Sequence, residues 1–160
     1  MLVELPVVLL VVVNIFGWLI IHLGVAWLVT QFPDRLFRTE GWLYRARPWE
    51  YDGRLYEKVF LINAWKKKLP DGAALFKKGF PKRRFISRDP AYLERFARET
   101  CRGEIVHWIV FSCSLLFFIW NPWWAGFVMV GYASVANLPC IVVQRYNRIR
   151  ICRTTARCVR

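Results

Sequence analysis

The sequence predicts an all-α membrane protein, with three transmembrane helices and a basic cytoplasmic loop that carries interfacial helices. Three observations carry this fold class. Of 160 residues 56% are hydrophobic, with nine Trp, which is too apolar for an ordinary soluble domain. Three apolar stretches each approach or exceed the ~17–25 residues that a helix needs to cross hydrocarbon. All 24 Lys and Arg fall in two places, 18 between Gln31 and Glu104 and six from Gln144 onward.

The first span is expected over 5–29, "LPVVLLVVVNIFGWLIIHLGVAWLV". It has no basic leader and is longer than a signal-peptide core, so a permanent span is expected rather than a cleaved segment. The second span is expected over 104–120, where "RGEIVHWIVF" sets a glutamate and a histidine three positions apart at the mouth of an apolar run. The third is expected over 123–143, after a tight Asn121-Pro122 turn. The whole chain, 1–160, reads as one membrane domain. One orientation keeps every basic residue on one side: N-terminus outside, loop 31–103 inside, turn outside and tail 144–160 inside.

Within the loop, "YEKVFLINAWKKKL" mixes aromatics and aliphatics with lysines, as a helix lying along headgroups does. "RDPAYLERFARETCRGE" predicts a second helix. Asp89 caps it, Pro90 takes its first position and Glu94 pairs with Arg98, and it is expected to run unbroken into the second span. Between them "KKKLPDGAALFKKGFPKRRF" reads as turns that present positive charge. These lysines suit anionic lipid, at roughly 1 kcal/mol each, or a polyanionic donor such as a coenzyme A thioester or acyl carrier protein. Nucleic acid is not an expected partner, because the basic residues lie against the membrane and no recognition module is present. The five cysteines have no CxxC spacing and fall in the membrane or on the reducing side, so free thiols are expected.

An ionised side chain at the centre of a membrane helix costs about 2.5–3.5 kcal/mol, and less toward its end, so polar groups there need partners or a function. At about 100° per residue, Thr100, Glu104, His107, Phe111 and Ser114 fall within about 80° of one another and form one stripe. The third span offers a matching stripe of Asn137, Cys140, Gln144 and Asn147 or Arg148, with Pro139 loosening the backbone between. Counting from the interfaces sets His107 level with the turn from Ile141 to Gln144, and Glu104 near Arg145 or Arg148. The bland reading is that Glu104 and His107 staple helices, with Trp108 as an interfacial anchor. No metal is expected, since the ExxH spacing has no second copy. His22 stands alone and is expected to be a helix-packing hydrogen-bonder. Cys101 and Cys140 are expected to be inert small residues rather than nucleophiles.

Read together, "EIVHW", "ANLPCIVVQRYNR", "AWKKKLPDG" and "FPDRLFR" resemble the glycosyl-4,4'-diaponeurosporenoate acyltransferases of bacterial carotenoid synthesis, from about Trp18 to Arg150. The tightest part is carried by Glu104, His107, Trp108, Asn137, Pro139, Gln144, Arg145, Tyr146, Asn147 and Arg148. Trp65, Lys66, Asp71 and Gly72 match a further element. The resemblance implies an O-acyltransferase of the bacterial cell membrane that moves a fatty acyl group from a thioester donor to a sugar hydroxyl of a glycolipid, with no cofactor beyond an acyl-CoA or acyl carrier protein thioester. Such a reaction needs a base, oxyanion donors and an anion site. His107 is then the base, oriented by Glu104, with Asn137, Gln144 or Arg148 at the oxyanion. Trp108, Arg145, Tyr146, Asn147, Trp65, Lys66 and Asp71 bind substrates. The competing classes are another inner-leaflet lipid transferase, such as an isoprenylcysteine-type methyltransferase, and a non-catalytic scaffold subunit. Three spans make a thin bundle, so a second protomer is an expected partner in closing a lipid cleft.

Overall fold

The computed structural model describes residues 6–69, 87 and 89–155, and the regular structure among them is helical throughout. Helix α1 runs Val7–Thr30, α2 Arg54–Lys58, α3 Ile62–Trp65, α4 Pro90–Cys113 and α5 Trp123–Thr155. Tighter 3-10 turns cover Pro48–Gly53, Lys66–Lys68 and Ser114–Ile119. Three segments are long and apolar enough to cross a membrane: α1, α4 with the 3-10 turn that continues it, and α5. The chain is a multi-pass membrane protein.

At about 1.5 Å per residue α1 spans about 36 Å, enough for the ~30 Å hydrocarbon layer. It is apolar on every side and buries only Asn14, Trp18 and Val29 against its neighbours, as a lipid-bathed helix does. Trp18 packs with Val110, Phe117 and Ala133 at the centre of the bundle. Around the turn between α4 and α5, Asn14 and Asn121 exchange side-chain hydrogen bonds of 2.9 and 2.8 Å, and Trp120 Nε1 donates to Asn14 Oδ1 at 2.8 Å. These buried amides fix α1 in register against the turn, because in hydrocarbon an unpaired amide has no water to fall back on.

Helix α4 begins where its sequence signals place it. Pro90 is its first residue, the Asp89 carboxylate accepts from the Tyr92 amide at 3.0 Å, and Arg98 meets Glu94 at 2.7 Å. It then runs without a break through Cys113. Helix α5 passes through Pro139 and continues well beyond the apolar stretch to Thr155, so the basic residues Arg145, Arg148 and Arg150 are helical. Leu93, Phe96 and Ala97 of α4 pack on Ile151 of α5, which holds these extensions together.

Residues 31–69 fold back on this basic end. Phe37 and Tyr44 pack with Val29 and Cys101, and Tyr56 and Ile62 with Tyr146 and Ile149. The helix expected over Tyr56–Leu69 is broken, because Leu61 adopts a left-handed φ of 47° between α2 and α3. A second left-handed hook runs through Tyr51, Asp52 and Gly53 and turns Glu50 and Tyr56 inward. Cys101, Cys113 and Cys140 are free thiols. Cys152 is disulfide-bonded, a departure from the expectation that every thiol is free.

Candidate active site

Glu104 lies one turn before His107 on α4 and is fully buried. Its Oε1 takes Arg145 Nη1 at 3.0 Å and its Oε2 takes Arg148 Nη2 at 2.5 Å. Both arginines come from the last third of α5. Side chains on a helix lean toward its N-terminus, so these long stems reach back along α5 to a carboxylate set more than a turn deeper.

A second carboxylate completes the network. Glu50, also fully buried, receives Arg145 Nε at 3.0 Å and Arg145 Nη2 at 3.1 Å. It also accepts from the Tyr56 hydroxyl and the Arg47 amide, each at 2.5 Å. Burial alone pushes the Glu50 carboxyl up, but the hydrogen bonds from Arg145, Tyr56 and the Arg47 amide outweigh it and hold the group below its ordinary value. Arg148 Nε donates to the Tyr44 carbonyl at 2.9 Å. Two carboxylates thus meet two guanidiniums, and the buried charge balances, which is the condition for tolerating it at all. Sequence reasoning missed Glu50, Tyr44 and Tyr56. The one available signal was "RPWE", where Pro48 at a helix start puts Glu50 at the third helical position, and it says nothing of Arg145.

His107 is half-buried and its Nδ1 lies 2.9 Å from Asn137 Oδ1. The Asn137 amide nitrogen donates to the Ala133 carbonyl at 2.9 Å, which fixes the amide with its oxygen toward the ring. Nδ1 must then carry the proton, and the basic lone pair sits on Nε2. The geometry differs from the expected one in two ways. Both Glu104 oxygens are engaged by arginines, and the imidazole meets the Asn137 amide oxygen instead of that carboxylate. His107 is also level with Asn137, about a turn from the expected Ile141 to Gln144 level, because both helices run on past their apolar stretches and the interface is a poor origin for counting.

The other predicted residues separate into three groups. Gln144 Oε1 and Arg148 Nη1, one turn apart on α5, are buried without a hydrogen-bond partner. Trp108 is exposed and meets Phe111 edge-on at 6.1 Å, while Asn147 is half-buried on α5. Trp65, Lys66 and Tyr146 gather further along α5: Trp65 Nε1 donates to the Phe60 carbonyl at 2.7 Å, and Lys66 Nζ stands 4.6 Å from the centroid of the buried Tyr146 ring. Asp71 and Gly72, with the basic stretch around them, lie outside the described residues. Among the described residues no group of three or more His, Cys, Asp or Glu gathers as metal ligands. His22 packs by ring contacts to Trp18 and Tyr132 at 5.5 and 6.4 Å, as expected of a packing residue, but its buried Nε2 makes no hydrogen bond, unlike the expected hydrogen-bonder.

A half-buried imidazole in a fixed tautomer within an apolar bundle is an arrangement suited to deprotonating a hydroxyl. No solved structure matches the chain. A family model described as glycosyl-4,4'-diaponeurosporenoate acyltransferase matches residues 40–157. Proteins of that name from two strains of Staphylococcus aureus are each 34% identical to it over 134 residues, covering 84% of this chain and 81% of the relative. The His107–Asn137 pair, Glu104 and both of its arginines lie within the matched segment, and the chain belongs to the glycosyl-4,4'-diaponeurosporenoate acyltransferase family.

Proposed function

We propose that the protein transfers a fatty acyl group from a thioester donor to a sugar hydroxyl of a glycosyl carotenoid, with His107 as general base. Family membership makes it an acyltransferase, and the relatives' name supplies the class of acceptor. The observation that carries the mechanism is the His107–Asn137 hydrogen bond, which leaves Nε2 as the basic nitrogen.

In this reading the sugar oxygen attacks the thioester carbonyl carbon while its proton passes to His107 Nε2. A C–O bond forms and the carbonyl oxygen becomes an oxyanion, for which the Gln144 amide nitrogen and the unpartnered Arg148 Nη1 are the candidate donors. The tetrahedral intermediate collapses by breaking the C–S bond, and the departing thiolate takes the proton back from the imidazolium. Asn137 holds the ring throughout, and Glu104 holds α4 against α5 through its two arginines. The apolar faces of the three spans accept the acyl and polyene chains. The positive-inside rule puts the basic end of the bundle, and this site with it, at the cytoplasmic leaflet of a bacterial cell membrane.

Loss of a general base typically costs 10²–10⁴-fold in rate. His107→Ala is therefore expected to lose activity on that order in a purified assay with glycosyl carotenoid and acyl thioester, with its melting temperature little changed. Parallel loss of folding and activity would support the helix-stapling reading instead, and undiminished activity would refute the base.

A further inference from the structure

Beyond the imidazole site, two cations press on one buried aromatic ring. Lys66 Nζ stands 4.6 Å from the Tyr146 centroid and the Arg150 guanidinium 5.5 Å from it. At the edge of the ring the Tyr146 hydroxyl donates to Glu57 Oε1 at 2.7 Å, with Asn63 Oδ1 at 3.3 Å. The ring face attracts each cation, but the cations repel each other. Among the described residues neither has a carboxylate at ion-pair distance, whereas Arg145 and Arg148 of the same helix are both neutralised. Burial and then the Arg150 charge hold the Lys66 ammonium below its usual range, with Lys67 adding to the effect and Glu57 opposing it. An anion between Lys66 and Arg150 removes that repulsion. Both lie within 5.5 Å of one ring centroid, and a guanidinium fork and a compact ammonium are the two donor types that suit the oxygens of a phosphate.

Position supplies the second argument. Arg150 lies 13 residues beyond Asn137 on α5 (150 minus 137), which is about 20 Å along the axis. In a coenzyme A or carrier-protein thioester the reacting carbonyl is separated from the phosphates by a pantetheine arm, which bridges a gap of that order. We propose that Lys66 and Arg150, arrayed on the Tyr146 ring, bind the phosphate of the acyl donor and so set the point from which its arm reaches His107. This rests on the acyl-thioester reading above. An anionic phospholipid headgroup offers the same phosphate chemistry from a different source.

Coenzyme A binding to the full chain in nanodiscs of neutral phosphatidylcholine, followed by calorimetry, tests the site without catalysis. Coenzyme A is expected to bind, and pantetheine, which lacks the phosphates, to bind at least about tenfold more weakly, as loss of a charge-assisted hydrogen bond predicts. Lys66→Ala and Arg150→Ala are each expected to weaken coenzyme A about tenfold or more, and Lys66→Arg to retain most of the affinity. A melting curve of each variant separates lost binding from lost fold, with Lys66→Gln and Arg150→Gln replacing any variant that unfolds. Phosphatidylglycerol that displaces coenzyme A from the wild type identifies a headgroup as a competing occupant of the same phosphate site, whereas indifference to it identifies the soluble donor. Equal affinity for coenzyme A and pantetheine, or wild-type affinity in the folded variants, overturns the proposal. Binding that survives while His107→Ala stays active would strike the proposed base and leave this site standing.

Discussion

At the scale of single residues, the chemistry of the site turns on which partner each polar group has taken. A carboxylate one helical turn from a histidine invites the reading of a dyad, but Glu104 serves Arg145 and Arg148 while Asn137 serves His107. The difference is chemical as well as geometric. An amide oxygen fixes the tautomer and the ring plane through a hydrogen bond, whereas a carboxylate would add a full negative charge. Asn137→Leu is expected to reduce kcat on the order of 10²-fold or less and to alter the pH profile of kcat/KM, since the ring loses its fixed tautomer. Asn137→Asp keeps an acceptor and should recover rate relative to Asn137→Leu, with the profile displaced to higher pH by the added negative charge. An unchanged profile in Asn137→Leu would remove the residue from the mechanism. Glu50 gives a prediction on stability. Its folded pKa is depressed, so its contribution is present above the unfolded carboxylate value, about 4.3, and is lost as pH falls through the folded value. The melting temperature is expected to hold from neutral pH to about pH 5 and to decline at lower pH, and Glu50→Gln should flatten that decline.

At the scale of elements, the spans were legible because bilayer thickness imposes a length that the apolar stretches display directly. The start of α4 was legible for a local reason too, since a capping carboxylate and a first-position proline act within one turn. What escaped was long-range or conformational. Glu50 joins Arg145 across 95 residues of chain, and no periodicity encodes that pairing. The break at Leu61 needs a left-handed leucine, a conformation that costs order 1–3 kcal/mol and that helix propensity argues against. In the sequence Asn121 stands out only as part of a turn and Asn14 as a lone polar residue within an apolar span. Their reciprocal bonds, with Trp120, lock α1 to the turn, so Asn14→Leu should cost about 1–3 kcal/mol by stranding two buried groups. A calorimetric or fluorescence melt of Asn14→Leu, Asn121→Leu and the double variant measures the coupling, and additive losses would show that the lock is not real.

At the scale of the whole molecule, the arrangement separates two kinds of stability. The lipid-bathed half is held by apolar packing around Trp18 and Phe117 and by one amide cluster, whereas the basic half adds buried charge to its apolar packing around Phe96, Tyr44 and Tyr146. Charge of that density is tolerable only next to water and headgroups, and this ties the fold to an orientation. All 24 Lys and Arg lie on one side if the basic end faces the cytoplasm, and the turn at Asn121 and Pro122 then faces out. Cysteines introduced at Lys58, exposed on α2, and at Trp123, exposed at the start of α5, place the two ends independently. An impermeant maleimide applied to intact cells is expected to label Trp123→Cys above the wild-type background and to reach Lys58→Cys only after permeabilisation. The converse pattern would put the imidazole site on the outer leaflet, away from intracellular acyl thioesters, and would require a different donor even if His107 proved to be the base.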